Sequence, residues 1–255
     1  MKDWISSFII ACSMYSKIPM PQVEWTEKKM KYALCFFPFV GLVIAALMMV
    51  FAWIAANVAM GTVLYGCLGT AIPLVVTGGI HLDGFLDVSD ARSSFGDRER
   101  KLEILKDPHI GAFAVICGGI YLLLYLGIFS EVQPSMVPAL AGSYVLIRAW
   151  SGWSVVSLPK AKPDGLASTF AAQADTRWVR GCMLLWGGLA VIWMAIWGGK
   201  AFALMMFAVA GLTYAYYRRV ARKEFGGITG DLAGYFLQLA ELLMTGAAVI
   251  WQFIS

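Results

Sequence analysis

Apolar residues run in long blocks along this chain, and polar residues gather into a few short stretches between them. The apolar blocks lie at roughly 33–56, 62–79, 110–129, 136–156, 182–198, 201–217 and 232–254. Each comes near the ~20 residues that a helix needs to cross a bilayer, and each is far longer than a barrel strand. Backbone polar groups cannot stay unpaired in lipid, so blocks of this kind are helices. The pattern predicts an all-α fold, a polytopic integral membrane helical bundle of about seven transmembrane helices. Ahead of them, WISSFIIACSMY sets Trp4, Phe8, Cys12 and Tyr15 at helical spacing. That stretch is too short to span comfortably and predicts an N-terminal interfacial helix. It has no strongly basic start and no small-residue cleavage site, so a cleavable signal peptide is not expected.

The polar stretches 16–32, 80–109, 157–181 and 218–231 are too short to fold alone, and no linker divides the chain. Residues 1–255 are therefore expected to form a single transmembrane domain with its loops acting together at one end. Cations sort in the same way. Lys17, Lys28, Lys29 and Lys31 precede the first block, and Arg92, Arg98, Arg100, Lys101 and Lys106 follow the second. Lys160, Lys162, Arg177 and Arg180 follow the fourth, and Arg218, Arg219, Arg222 and Lys223 follow the sixth. The alternate connections carry only Lys200. The positive-inside rule makes the basic loops cytoplasmic and turns the C-terminal end outward.

Composition agrees. Charged residues make up 14% of the chain and hydrophobic ones 60%, against about 25% charged in soluble domains. An ordinary soluble domain is excluded, and membrane lipids are the expected surroundings. The net charge of +4 comes from the loops that face one side of the membrane, and no nucleic-acid partner is expected. Cys12, Cys35, Cys67, Cys117 and Cys182 stand singly in apolar segments and read as small hydrophobes.

Against this background the segment GGIHLDGFLDVSDARSSFGD at 78–97 stands out. On a helix Asp83, Asp87 and Asp90 occupy positions i, i+4 and i+7, one face of two turns. Carboxylates stacked in this way repel one another unless a cation lies among them, and oxygen ligands suit Mg²⁺, Mn²⁺ or Ca²⁺. A Mg²⁺ held by one or two carboxylates keeps positions open for phosphate oxygens, as phosphoryl transfer requires. The bland alternative is a solvated acidic face balanced by nearby cations. His81 adjoins the cluster and is either a site residue or a hydrogen-bonded boundary residue.

Other stretches carry related chemistry. Lys106, Asp107 and His109 precede the third block: Asp107 is a fourth ligand, a general base or a loop cap before Pro108, Lys106 a phosphate partner, and His109 a site or interface residue. In GGITGDLAGYFLQLAE, Gly227 and Gly230 permit a close approach to phosphate and Asp231 adds a carboxylate, although glycine clusters also end helices. Arg148 and Glu241 lie inside spans, at matching depth, where a lone charge is costly. They are expected to pair or to line a substrate entrance together.

Four blocks, FFPFVGLVIAAL, TGGIHLDGFLDVSDA, RKLEILKDPHIGAFAV and GGITGDLAGYFLQLAE, resemble in order and spacing the signature blocks of the cobalamin synthase family, the adenosylcobinamide-GDP ribazoletransferases. The likeness runs from YSKIPMP to the last apolar block. Lys162 stands where the family pattern leads one to expect arginine, and Ala167 where it leads one to expect glycine. The resemblance implies a Mg²⁺-dependent multi-pass enzyme of the bacterial cytoplasmic (inner) membrane with its active site facing the cytoplasm. It would join α-ribazole, or its 5′-phosphate, to adenosylcobinamide-GDP, releasing GMP and giving adenosylcobalamin or its phosphate.

On that reading Asp83, Asp87 and Asp90 hold the metal, with Asp107, Asp231 and His81 as further carboxylates or base. Arg92, Lys106 and Lys162 would hold the pyrophosphate and the departing GMP. The partners implied are the two substrates, other enzymes of the same pathway and a second copy of the chain. DVSDAR at 87–92 is also similar to the opening of the CDP-alcohol phosphotransferase motif, whose second half is missing here. A secondary transporter is the alternative of a different class, and it would place its acidic groups near the bilayer midplane.

Overall fold

The computed structural model describes residues 2–161 and 165–255, and it is helical almost throughout. The helices are α1 (Lys2–Tyr15), α2 (Glu27–Met30), α3 (Phe37–Asn57), α4 (Thr62–Thr77), α5 (Ile80–Ser93), α6 (Arg98–Ile104), α7 (Ala112–Ser130), α8 (Val137–Ser157), α9 (Leu166–Gln173), α10 (Thr176–Glu224) and α11 (Gly230–Ile254). Among the described residues there is no strand, only an isolated parallel bridge between Lys160 and Ile228.

Every apolar block of the sequence is helical. The stretches 27–57, 112–130, 176–225 and 230–254 are each long and apolar enough to cross a membrane. The pair α4 and α5, bent by 96°, makes a fifth when taken together. The helix over 176–224 has a break at Gly199, where φ is +85°, so it joins two expected blocks through one glycine in a conformation that side chains resist. Helix α8 is long enough but polar, with Ser143, Arg148, Ser151 and Ser154 all buried. It packs between α3 and α10 at the centre of the bundle, where protein rather than lipid covers its serines and arginine.

The polar stretches meet at one end. Lys31 pairs with Asp175 at 3.4 Å, and Trp25 packs edge-on against Phe170. Ile228 donates its N–H to Pro159. Lys101 reaches Glu224 at 2.8 Å. These contacts tie 16–32 to 157–181, 157–181 to 218–231, and 80–109 to 218–231. The opposite end is closed by Gln252, whose amide accepts from the Gln133 N–H and donates to the Glu131 carbonyl. Helix α1 is tucked in rather than peripheral: Ser7, Ile10, Ala11 and Cys12 are fully covered, while Ile5 on the other face is exposed.

Candidate active site

Two glycines create the turn that presents the acidic helix. Gly78 (φ +63°) ends α4 and Gly79 (φ +77°) starts α5, both in the left-handed region. Lys17 donates its N–H to the Val76 carbonyl, holding the incoming chain against this turn. Helix α5 then packs against α7 and α11.

Its closest approach is to the start of α11. A Cβ on Gly84 would lie 2.7 Å from the Asp231 carbonyl oxygen, and one on Gly234 would lie 2.9 Å from the His81 carbonyl oxygen. Small residues on both helices therefore allow backbone-to-backbone contact. That contact brings Asp231 to the α5 aspartates, and Asp87 lies in the field of Asp83, Asp231 and Asp90. Asp83 is exposed, while Asp87, Asp90 and Asp231 are half-buried. Asp90 does a second job, accepting the Ala114 N–H at 3.2 Å in the first turn of α7. Gly111 leaves room for that carboxylate, since a Cβ there would run into it. A carboxylate in this place satisfies an orphan helix N–H and complements the helix dipole.

Behind Asp83 and Asp231 is a cavity of about 270 Å³. Its walls come from Tyr15, Phe37, His81, Val155 and Leu237 together with Ser151. His81 is 5% exposed, and its Nε2 has no hydrogen-bond partner.

The remaining candidates are scattered by the fold. Arg92 is fully committed: it pairs with Glu224 at 3.1 Å and donates to the hydroxyls of Tyr216 (2.8 Å) and Tyr235 (2.9 Å). It braces α5 against α10 and α11, so the expectation that it holds pyrophosphate does not match its contacts. Asp107 accepts both the backbone N–H of His109 at 3.0 Å and a contact from its ring at 2.7 Å. The backbone donor first, and then the ring, hold the Asp107 carboxyl below its ordinary range. It thus caps the turn at Pro108, and among the described residues no contact joins Lys106, Asp107 or His109 to the α5 carboxylates. All three are exposed.

Arg148 and Glu241 form a salt bridge of 3.0 Å with no exposed side-chain surface on either. Neither lines the cavity; Ser151 and Leu237, one turn away on the same helices, do. The pair joins α8 to α11 beside the cavity wall, and the Arg148 Nε and the second Glu241 carboxylate oxygen are buried without a hydrogen-bond partner. Gly227 is close-packed against the backbone of Lys160 and Ala161, so it serves chain-to-chain contact. Around Gly230 there is open space, and it lines the cavity. Lys162 lies outside the described residues.

A hard cation suits the donors that are present. Among the described residues no three His, Cys, Asp or Glu side chains converge into a ready-made metal cage. Mg²⁺ needs no such cage: it takes oxygen from one or two carboxylates and fills the rest with water and substrate phosphates. The carboxylates of Asp83 and Asp87 answer that description, together with the oxygen of Asp90 not used at α7.

Sequence reading missed Glu224, Tyr216 and Tyr235, the partners of Arg92. One signal was there: Glu224 is the only carboxylate in the basic run that begins at Arg218. The cavity walls from Tyr15, Phe37 and Val155 gave no signal, because apolar residues in apolar segments look alike until the helices are packed.

The chain matches the family model described as cobalamin-5-phosphate synthase over residues 7–249. It is 43% identical over 247 residues to an adenosylcobinamide-GDP ribazoletransferase of Lachnoclostridium phytofermentans, covering 97% of this chain and 94% of that protein. Proteins of the same name from Clostridium perfringens strain 13 and Geobacillus kaustophilus are 32% and 30% identical, covering 94% and 98% of this chain and 96% and 97% of theirs. No solved structure matches it.

Proposed function

The chain belongs to the cobalamin-5-phosphate synthase family, and from that premise we propose that it is a membrane-embedded adenosylcobinamide-GDP ribazoletransferase acting in the last step of cobalamin biosynthesis. A hydroxyl of α-ribazole, or of its 5′-phosphate, attacks the phosphorus on the cobinamide side of the pyrophosphate. A new O–P bond forms, the bridging O–P bond breaks, and GMP leaves with the electron pair. The hydroxyl proton passes to a carboxylate acting as general base.

The observation that carries this reading is the meeting of Asp83 and Asp87 with Asp231 at the Gly84 crossing, on the rim of a cavity. Asp83 and Asp87 would hold Mg²⁺, which when bound neutralises charge on the transferring group. Asp231, on the facing helix, would take the proton. Asp90 fixes α5 to α7 and Arg92 fixes it to α10, so that the carboxylates keep their places. The basic loops support an orientation in which this end of the bundle faces the cytoplasm, in the inner membrane of a bacterium.

The experiment is direct. Purified protein, adenosylcobinamide-GDP, α-ribazole and Mg²⁺ should yield a cobalamin product and GMP in equal amounts by chromatography. No product from well-folded protein would remove the reading.

A further inference from the structure

Asp83 borders two spaces. One is the cavity that it shares with Asp231; the other, of about 470 Å³, is walled by Ser13, Lys17, Thr77, Leu82 and Leu86. Met14, Ile80 and Asp83 line both, and the second contains no carboxylate besides Asp83. Only the second contains a lysine or arginine, and that residue is Lys17. Its surroundings hold it in place. The Lys17 N–H donates to the Val76 carbonyl at 2.8 Å, and its carbon stem lies over Gly78, where a Cβ would run into it. Beside it, Ser16 and Thr77 donate their hydroxyls to the carbonyls of Cys12 (2.6 Å) and Pro73 (2.9 Å). Lys17 is exposed, and among the described residues no carboxylate pairs with its ammonium.

A diphosphate brought to Asp83 meets like charge and needs a positive partner there. Arg92 is held by Glu224 and two tyrosines, which leaves Lys17 as the cation beside Asp83. In a displacement at phosphorus the attacking and leaving oxygens stand roughly in line, on opposite sides. Asp231, the carboxylate assigned the proton above, lines only the first cavity, so the leaving group belongs with the second. We propose that the second cavity receives the departing nucleotide, with the Lys17 ammonium bonded to phosphate oxygens next to the bridge that breaks. The inference rests on the transferase reading above and names the residue and the cavity that take its leaving group. As the bridging O–P bond breaks, the electron pair stays with GMP and its phosphate gains negative charge. An ammonium fixed at that place stabilises the charge as it develops. Lysine acts on phosphate as a point charge and not as a planar fork, so an arginine at this position should keep much of the effect.

The test uses detergent-purified full-length protein with Mg²⁺ and with GDP and GMP as probes. Wild-type protein should bind GDP in calorimetry, and Lys17→Gln should weaken that binding about tenfold or more, the worth of a hydrogen bond to a charged group. Lys17→Arg should recover most of the loss. Lys28→Gln, which removes an exposed charge outside the cavity, should change nothing. In turnover Lys17→Gln should raise the inhibition constant of GMP by a similar factor, with KM for α-ribazole unchanged. Absence of GDP binding to wild-type protein, or equal GDP binding and GMP inhibition in Lys17→Gln, overturns the proposal. So does displacement of GDP by phosphatidylglycerol but not by GMP, which would assign Lys17 to a lipid headgroup. A measurement on wild-type protein decides the point even if the substitutions fail to fold. Acetylation of Lys17 by acetic anhydride, followed by mass spectrometry, should slow severalfold in saturating GDP, while that of Lys28 does not. Equal Lys17 rates with and without GDP overturn the proposal. Lys17-dependent GDP binding by protein that makes no cobalamin would remove the transferase reading and leave the cavity a nucleoside diphosphate site.

Discussion

Gly84 on α5 and Asp231 on α11 meet backbone to backbone, with no room for a side chain on the glycine. Separation of the two acidic elements is therefore set by the absence of one methyl group. Gly84→Val should force the helices apart and lower transfer strongly, while the protein still inserts. Overpacking of this kind costs about 1–3 kcal/mol, so thermal unfolding in detergent should shift down as well. A Gly84→Val protein with full turnover would separate the crossing from the chemistry.

The carboxylates themselves should be indispensable. Asp83→Asn, Asp87→Asn and Asp231→Asn are each expected to lower kcat by about 10²-fold or more, the usual cost of losing an acid–base or electrostatic group. Chelation by EDTA should abolish turnover, and Mg²⁺ or Mn²⁺ should restore it. Undiminished activity after exhaustive chelation would exclude a metal at these aspartates.

Asp90→Asn is expected to behave differently from Asp87→Asn. An asparagine can still accept the Ala114 N–H, so the docking of α5 on α7 survives. Asp90→Leu cannot, and should lose stability by about 1 kcal/mol, the ordinary cost of a lost cap. Melting curves of the two variants, side by side, check this. Identical curves would show that the cap contributes nothing.

For Arg148 and Glu241 the expected signature is coupling. Removing one partner of a buried pair leaves a bare charge, at about 3–5 kcal/mol, whereas an apolar double replacement is often tolerated. Arg148→Met and Glu241→Leu should each reduce folded yield sharply, and the double variant should recover most of it. Because neither side chain lines the cavity, the recovered double variant should keep near-normal KM values for both substrates. Single-variant losses that simply add would mean that the two act separately.

Cysteines introduced at Gly96 and Lys223, in a background lacking the five native ones, should label from the same membrane face, because Lys101 and Glu224 join these two segments at 2.8 Å. Labelling in inside-out vesicles should be the efficient case. Opposite-face labelling of the two positions is incompatible with that ion pair.

How far the sequence could be read is visible in particular residues. Arg148 and Glu241 were legible as a pair because the bilayer makes unpaired charge expensive, and their distances from the loop boundaries matched. The α5 carboxylate face followed from helical periodicity alone. Asp231 was legible as a carboxylate near a glycine cluster, but the glycines that matter for contact, Gly84 and Gly234, lie within helices and resemble any other small residue there. For Arg92, a cation beside a proposed phosphate site suggests an anion contact, and only packing showed that Glu224 and two tyrosines bond it at the end of α5. Asp107 is the mirror case, where the loop-cap alternative to catalysis is what the local hydrogen bonds favour.

The contributions of α8 and α11 also set an order of events. Ribosomes deliver α5 and α8 to the membrane well before α11, so Arg148 must enter without Glu241 and the aspartates of α5 must wait without Asp231. An arginine alone at depth carries a penalty of about 2.5–3.5 kcal/mol on insertion scales. A nascent chain halted before its last helix would thus carry both a lone charge and an incomplete acidic rim. Arrival of α11 removes the lone charge and completes the acidic rim in one step. Quality control that recognises unpaired charge within the bilayer would, in this protein, be reading whether the acidic rim is complete.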